Sequence, residues 1–405
     1  MARRKELNYF ILITMLFSLT VLFVFHKREF SHKKVLSWKY QTADAQILTK
    51  ACRALVNNSR SVFLWKNTLA MSPMNSSCED YINKNHYITK PLSEEEAEFP
   101  IAYIMTLHKE FETFERVLRT VYAPQNVYCI HIDAKATNDY VRAVQKLEKC
   151  FPNVFIASRM EPVIYAGISR LQADLHCMKD LMTPQWQWKY AINMCGQDFP
   201  MKTNKEIVHH LKQFKGKNIT PGTKPPQHAV HRTKYSYREY MDNNHAFVHG
   251  TKKLKKPPPH NITIFFGSAY YAVSRGFGHF VLTDKRAIDL LGWSWDTYSP
   301  DEHYWVTLNR LSDAPGAMPD ATWEGDLRCI KWLDQFGEKG CHGHYVRDIC
   351  IYGQGDLPWL LQNTCVFANK FELHSYPPTL ECLELILRER TLSQSETEID
   401  PSWYL

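Results

Sequence analysis

Several motifs that mark common enzyme classes are missing from this sequence of 405 residues. No glycine follows the first predicted strand, where the chain reads TLHKEFETF, so a dinucleotide-binding Rossmann site and a P-loop are both disfavoured. The absence of any C-x-x-C pair argues against a zinc site or a thioredoxin-like site. There is also no D-x-D pair, the motif with which many nucleotide-sugar enzymes hold a divalent cation.

Nucleic acid is disfavoured as a partner. The net charge of +7 is modest for a chain of this length, and its densest basic run, TKKLKKPPPH, is proline-rich and typical of a solvated loop. Neither zinc-finger spacing nor an RNA-binding signature is present. A basic site for an anionic small molecule suits this excess better. Hydrophobic residues make up 44% of the chain, which allows a sizeable core in one large or two medium domains.

The segment Tyr9–Phe25 carries no charge and is near the lower limit of about 17 residues for a transmembrane helix. A cleaved signal peptide is the alternative interpretation, but HKREFSHKK follows and contains no small-x-small cleavage site. The sequence therefore predicts a cytosolic tail over residues 1–8 and an uncleaved signal anchor over residues 9–25.

Cysteines and glycosylation sequons orient the predicted anchor. The 11 cysteines are dispersed, which in an oxidising compartment is typical of a disulfide framework. N-x-S/T sequons begin at Asn57, Asn75, Asn218 and Asn261, all beyond the anchor. Together these features predict a single-pass type II protein of the Golgi membrane with its body in the lumen.

Strand and helix patterns alternate through the first half of the body. Residues 26–95 are predicted to form a luminal stem and residues 96–405 the catalytic domain. Buried-strand runs occur at Ile101–Leu107 and Val127–Asp133. Further strands are predicted at 154–158 and 190–195, with helices at 109–122, 137–150, 169–182 and 206–214. This alternation predicts a parallel α/β sheet.

Ligands of such sheets bind beyond the carboxyl ends of the strands. His108 follows the first predicted strand, and Asp133 and Lys135 follow the second. We therefore consider them candidate ligand-binding residues. The alternative is that each is a solvated loop charge.

The decamer DTYSPDEHYW, residues 296–305, contains the adjacent carboxylates Asp301 and Glu302. Ser299 fits a helix N-cap, Pro300 the first helical position and Glu302 the third, which together predict a capping box. On one helical turn the two carboxylates point about 100° apart, so they cannot flank one glycosidic bond as a glycosidase requires. One of them could instead serve as a general base.

Five segments resemble one family: YAGISRLQADL, NMCGQDFP, DTYSPDEHYWVTLNR, GQGDLPWL and FANKFEL. They are similar to the β-1,6-N-acetylglucosaminyltransferases that make core 2 and I branches, in unbroken order from about residue 78 to the C-terminus. LSEEEAEFP and the C-terminal segment are most similar to I-branching members. The resemblance implies a GT-A type α/β fold, a Rossmann-like mixed sheet flanked by helices. It also implies inverting, metal-independent transfer of GlcNAc from UDP-GlcNAc to galactose of poly-N-acetyllactosamine on glycoproteins or glycolipids.

The resemblance also assigns roles to residues. Glu302 would be the general base, kept ionised by the helix dipole. The cations that replace a metal would be Arg347 and Lys370, for which the alternative is a surface ion pair or a snorkelling side chain. Acceptor contacts would be Arg232 and Trp332. UDP-sugar contacts would fall on Thr106, Leu107, His108, Asp133, Ala134, Lys135 and Tyr165.

Disulfide pairs carry over from the family as well. They are Cys52–Cys382, Cys78–Cys150, Cys129–Cys177 and Cys341–Cys350, with Cys195 free. Cys329 and Cys365 lie outside that pattern, as free thiols or as one further bridge.

Three positions depart from core 2 members, which place a Glu, a Lys and a Tyr where this chain has Pro221, Ala229 and Asp334. These departures favour a lactosamine acceptor. The alternatives are a core 2 or core 4 transferase acting on mucin-type O-glycans, a non-catalytic Golgi glycan-binding protein and, third, a glycosidase. The oligomeric state is left open, with a homodimer as one option.

Overall fold

A computed structural model describes residues 43–57, 69, 71–74, 77–242, 245–325, 327–335, 337 and 340–404. The predicted cytosolic tail and anchor, residues 1–25, lie outside these residues. None of the helices in the described part of the chain has the length and apolar character needed to cross a membrane.

The helices are α1 (Ala43–Val56), α2 (Cys78–Lys84), α3 (Glu94–Ala97), α4 (Phe111–Val121), α5 (Asn138–Glu148), α6 (Ile168–Leu181), α7 (Asn204–Gln213), α8 (Val230–Lys234), α9 (Arg275–Thr283), α10 (Lys285–Ser294), α11 (Asp301–Asn309), α12 (Leu357–Gln362), α13 (Pro377–Gln394) and α14 (Pro401–Tyr404). The strands are β1 (Ile101–Leu107), β2 (Val127–Ile132), β3 (Val154–Ile156), β4 (Tyr190–Cys195), β5 (Asp198–Pro200), β6 (Gly222–Thr223), β7 (Tyr235–Met241), β8 (Ala246–Leu254), β9 (Phe266–Gly267), β10 (Ala272–Ser274), β11 (Arg328–Cys329), β12 (His344–Val346), β13 (Ile349–Ile351) and β14 (Phe367–Asn369).

The central sheet has the strand order β10-β4-β1-β2-β3. Strands β1 to β4 run parallel, as predicted, and β10 adds an antiparallel edge. Every residue of β1 is buried, because the sheet is covered on both faces. Alternate residues of β1 enter two separate cores: Tyr103 and Met105 join one, while Ala102 and Ile104 join the other. The carboxyl ends of the parallel strands therefore meet at one edge, which positions the candidate site.

Two smaller β units flank that edge. Strand β14 pairs antiparallel with β5 and parallel with β11, and Lys370 follows it directly. The β12–β13 hairpin turns at Arg347 and Asp348, whose φ angles are 51° and 63°. Two left-handed residues in a two-residue loop match the twist of a hairpin, and for non-glycine residues this conformation is strained. Strain of this kind is frequent at ligand sites. Here one of the strained residues, Arg347, lies at the tip of the hairpin.

The predicted stem is not separate from the body over its described part. Leu48, Cys52, Tyr81 and Tyr87 are buried in the same core as β1, so these parts of the predicted stem pack against the predicted catalytic domain. The backbone of Leu69 is clamped by buried charges. Its N–H donates to Glu381 at 2.5 Å, and its carbonyl accepts from Arg119 at 2.7 Å and from Arg116 at 3.0 Å.

All four disulfides implied by the family resemblance are present: Cys52–Cys382, Cys78–Cys150, Cys129–Cys177 and Cys341–Cys350. Cys329 and Cys365, which the sequence left open, form a fifth bridge. Cys195 is free, as expected.

The sequons differ in accessibility. Asn57 and Asn261 are exposed, and Asn75 lies outside the described residues. Asn218 is 0% exposed, and its side-chain N–H groups donate to Asn309 at 3.0 Å and to the Pro315 carbonyl at 2.8 Å. A glycan on that nitrogen is incompatible with this arrangement, so Asn218 is withdrawn as a predicted glycosylation site.

Candidate active site

The site begins where β1 and β2 end. The Asp133 N–H donates to the Leu107 carbonyl at 2.8 Å, which joins the two strand ends. Asp133 is 6% exposed, and its carboxylate accepts from the Lys135 ammonium at 2.7 Å and from the Lys135 backbone N–H at 2.8 Å. Between them, the Ala134 N–H donates to the Glu161 carbonyl at 3.0 Å. Asp133 is therefore a fixed group and not a loose loop charge.

Thr106 and His108 flank Leu107 at the same edge. Thr106 is buried, and its hydroxyl donates to Asp174 of α6 at 3.3 Å. His108 is exposed beyond the strand end. All the residues predicted to contact the UDP sugar on β1 and β2 thus lie together at the carboxyl edge of the sheet.

Tyr165 stands on a loop that leads from this edge into α6. The Val163 N–H donates to Asp133 at 3.3 Å, and the Ile164 N–H donates to the Ser169 hydroxyl at 2.8 Å, so both residues before Tyr165 are held. The tyrosine itself is 59% exposed. The Arg347 guanidinium lies 4.4 Å from the centre of its ring. The β12–β13 hairpin therefore reaches across to the Tyr165 loop, and the two form one wall.

Arg347 and Lys370 are near enough for the charge of Arg347 to affect the pKa of Lys370. Burial lowers the pKa of the Lys370 ammonium, and the charges of Arg347 and Lys109 act in the same direction. Neither Arg347 nor Lys370 forms a salt bridge within the described part of the chain, although the sequence left a surface ion pair open for both. Two cations that affect each other and form no salt bridge among the described residues are suited to bind an anion with several oxygens.

A buried carboxylate, Asp356, supports the hairpin from beneath. Asp356 is fully buried and accepts from the Lys331 ammonium at 2.7 Å, from the His342 N–H at 3.1 Å and from the Gly353 N–H at 3.0 Å. The cysteines beside it, Cys341 and Cys350, are bonded to each other, so this cluster offers no metal-ligand set. The motif GQGDLPWL contained Asp356, but its partner Lys331 lies 25 residues earlier and had no readable signal.

Glu302 lies at the start of α11, but the predicted capping box is wrong. Ser299 has a φ of 47°, in the left-handed region, and α11 begins at Asp301 with no side-chain cap. The Glu302 N–H donates to the Ser299 carbonyl at 3.0 Å. The Glu302 carboxylate turns away from the backbone and accepts a hydrogen bond from Arg232. Arg232 thus engages the carboxylate that the predicted capping box would have used.

The protonation of Glu302 differs from the expectation drawn from the helix dipole. Burial, followed by the charge of Asp301, raises the pKa of Glu302 to about 7, although Arg232 acts in the opposite direction. Tyr165 is affected by the charges of both this carboxylate and Arg347. Its pKa is raised by burial and by the charge of Glu302, while Arg347 lowers it. Glu302 and Arg347 therefore both lie near the Tyr165 ring.

Arg232 is the predicted acceptor residue that comes closest to Glu302. It lies in the last turn of α8, with its guanidinium 5.2 Å from the Phe266 ring and 5.3 Å from the Tyr298 ring. Trp332 pairs with Ile349 of β13 and is 43% exposed. The two predicted acceptor residues are therefore held by different elements, Arg232 by α8 and Trp332 by the β12–β13 hairpin.

A family model described as "Core-2/I-Branching enzyme" matches residues 101–361 of this chain. The chain belongs to this family. The matched range starts at β1 and ends in α12, so it includes Glu302 and Arg347, whereas Lys370 lies beyond it.

Curated members of the Core-2/I-Branching enzyme family are similar over most of the chain. The mouse "N-acetyllactosaminide beta-1,6-N-acetylglucosaminyl-transferase" is 58% identical over 90% of this chain and 91% of its own length. The human protein of the same name is 54% identical over 96% of both chains. A human "Probable beta-1,3-galactosyl-O-glycosyl-glycoprotein beta-1,6-N-acetylglucosaminyltransferase 7" is 52% identical over 79% of this chain and 75% of its own length.

Among solved structures, Staphylococcus aureus TarS 1-349 is similar with a TM-score of 0.30 and 8% identity, over 56% of this chain and 59% of that one. A likeness of this size carries no argument about function.

Two positions predicted to depart from core 2 enzymes, Pro221 and Ala229, offer no polar side chain. Ala229 is fully buried just before α8. The Pro221 carbonyl is occupied by the Ser268 N–H at 2.8 Å. Beside Arg232, this part of the site therefore presents a smaller polar set than a glutamate and a lysine would give.

Proposed function

We propose that this member of the Core-2/I-Branching enzyme family transfers GlcNAc from UDP-GlcNAc, with inversion, to the 6-hydroxyl of galactose in poly-N-acetyllactosamine chains. One observation carries the proposal: Glu302, with a pKa near 7, and Arg347 both act on Tyr165, and Arg347 also acts on Lys370. A base and an anion site near each other are the two parts that an inverting transfer needs. We also propose that the fold is of the GT-A class.

In the proposed reaction, a Glu302 carboxylate oxygen takes the proton of the galactose 6-hydroxyl. The galactose 6-oxygen then forms a bond to C1 of GlcNAc from the face opposite UDP. The bond between C1 and the phosphate oxygen breaks, and its electron pair leaves with UDP. A base whose pKa is near the working pH combines a useful ionised fraction with a real driving force for proton transfer.

We also propose that no divalent metal or other cofactor is required. Arg347 and Lys370 supply positive charge beside the predicted diphosphate position, and the chain has no D-x-D pair to hold a cation. Full activity in EDTA, with loss of UDP binding in Arg347→Ala and Lys370→Ala, is the expected result. If EDTA abolished transfer, this part of the proposal would be wrong.

The names of the mouse and human relatives favour lactosamine over a mucin-type acceptor. To test this, the full chain is given UDP-GlcNAc in EDTA with a linear lactosamine oligosaccharide and galactosyl-GalNAc side by side. Linkage-resolved mass spectrometry reads the products. Glu302→Gln should remove activity, whereas Glu98→Gln, at an exposed carboxylate, should keep it.

A β-1,6 branch on lactosamine that is lost in Glu302→Gln supports the proposal. A product only on galactosyl-GalNAc would move the protein to the core 2 alternative. Full turnover of Glu302→Gln would overturn the assignment of the base.

The proposed location is the Golgi membrane, with residues 9–25 as a type II anchor and the body in the lumen. Five disulfides in the body favour an oxidising compartment. Protease protection of the body in sealed Golgi vesicles is the expected result, and digestion without detergent would contradict it.

A further inference from the structure

Glu239, on the β7–β8 hairpin, makes a contact that the proposed reaction does not use. Its carboxylate oxygen Oε1 accepts from the Ser169 backbone N–H at 2.9 Å and from the Ser169 hydroxyl at 2.7 Å. Ser169 is the second residue of α6, and Gly167, the N-cap of that helix, makes no side-chain cap. A carboxylate from a hairpin 70 residues away therefore caps α6 and satisfies a helix N–H that would otherwise lack a partner.

Gly167 gives this carboxylate its room. A Cβ atom at position 167 would lie 1.9 Å from Oε1, 2.6 Å from Cδ and 2.8 Å from Cγ of Glu239. The backbone of Gly167, with φ −97° and ψ 171°, is open to any residue. Glycine is therefore required here for space and not for its backbone conformation.

The segment that Glu239 caps is hydrogen-bonded to two parts of the proposed active site, the Tyr165 loop and the turn before Glu302. The Ser169 hydroxyl donates to Glu239, and this orients its oxygen to accept the Ile164 N–H at 2.8 Å, one residue before Tyr165. One residue after Tyr165, the Ala166 carbonyl accepts the Ser299 N–H at 2.8 Å, in the turn that leads into Glu302. The Tyr165 loop is thus bonded on one side to Glu239 through Ser169 and on the other to the turn that presents Glu302.

We propose that Glu239 is a positioning residue: by capping α6 beside Gly167, it fixes the Tyr165 loop for binding of the uridine diphosphate moiety. This inference rests on the proposed function, because it takes Tyr165 as a donor contact. Glu239 itself touches no reacting atom in this scheme.

The test uses the full chain and measures the KM for UDP-GlcNAc, kcat, and the Kd of UDP by calorimetry. Glu239→Ala should raise the KM and the UDP Kd roughly fivefold, the factor that corresponds to the stability usually lost with a helix cap, with a smaller change in kcat. Glu239→Gln keeps an acceptor oxygen and should restore both values to within about twofold. Arg238→Ala is the matched control, since Arg238 is the exposed neighbour on the same strand, and it should behave as wild type.

Gly167→Ala provides an independent perturbation. Its Cβ should displace the Glu239 carboxylate and reproduce the loss seen in Glu239→Ala. In the double variant the obstructing side chain is gone, so Gly167→Ala should add nothing to Glu239→Ala.

Unchanged UDP affinity in Gly167→Ala would overturn the proposal, even if Glu239→Ala failed to fold. Effects that multiply in the double variant would overturn it too, because the two residues would then act separately. Absence of β-1,6 product from the wild type would instead refute the proposed function, and the UDP affinities would still report on Glu239.

Discussion

Arg232→Gln should shift the pH dependence of activity towards higher pH. In the structure Arg232 donates to the Glu302 carboxylate and favours its ionised form. Removing that cation leaves burial and Asp301, both of which favour the protonated form. Since the proposed base works only when ionised, the acidic limb of the profile must move up.

The magnitude follows from the exposure of the pair. An adjacent opposite charge lowers a carboxyl pKa by about one to three units. The Arg232 and Glu302 side chains are 21% and 30% exposed, so solvent screening places the effect near the lower end. Starting from a pKa of about 7, a shift of about one unit reduces the ionised fraction at pH 7 from about one half to about one tenth. This is a fivefold loss that largely disappears near pH 9.

The assay is kcat/KM for the acceptor against pH, because this ratio reports the groups of the free enzyme. Loss of an acceptor contact would lower the whole curve without moving its midpoint, so the midpoint isolates the effect on Glu302. Asp301→Asn removes a charge that raises the pKa and should move the midpoint down. An unchanged midpoint in Arg232→Gln, or shifts of the same sign in both variants, would refute the reasoning.

Three further predictions concern stability and modification. The stability contributed by the raised pKa of Glu302 is complete below the unfolded pKa of about 4.5 and is lost as the pH rises through about 7. Glu302→Gln should therefore raise Tm at pH 8 and leave it unchanged at pH 4. An equal gain at both pH values would contradict this. Lys331→Met leaves Asp356 buried without the Lys331 ammonium and should lower the free energy of unfolding, measured in urea, by about 3–5 kcal/mol. The control is Lys90→Met, at an exposed lysine. Equal losses in the two variants would count against this prediction. Asn218→Gln should leave the glycan mass unchanged yet cost about 1–3 kcal/mol, and a lost glycan would show that the buried amide is modified.

The central sheet was predictable because its signals are local. Ile101–Leu107 is mostly apolar, as expected of a strand buried on both faces, and the structure ends β1 at the predicted residue. The helices were predictable in the same way, from the helical spacing of their apolar residues. Tyr81 and Tyr87 of the predicted stem are buried in the core, and no local pattern in the sequence indicated their burial.

The site was only partly readable from the sequence. Glu302, Arg347 and Lys370 were named through the family resemblance, since a cation or carboxylate alone does not reveal its neighbours. The capping box at Ser299 failed because Arg232, 70 residues away, takes the Glu302 carboxylate. Contacts of this range depend on the complete fold and leave no pattern of spacing in the sequence.

The Cys52–Cys382 bridge turns most of the chain into a closed covalent ring. One proteolytic cut at any peptide bond inside that ring leaves both pieces joined through sulfur. Only a cut before Cys52 would release the body in solution as a single unit free of the preceding residues. If residues 9–25 anchor the protein as proposed, secreted forms should begin upstream of Cys52, and a cut further along should be visible on a gel only after reduction.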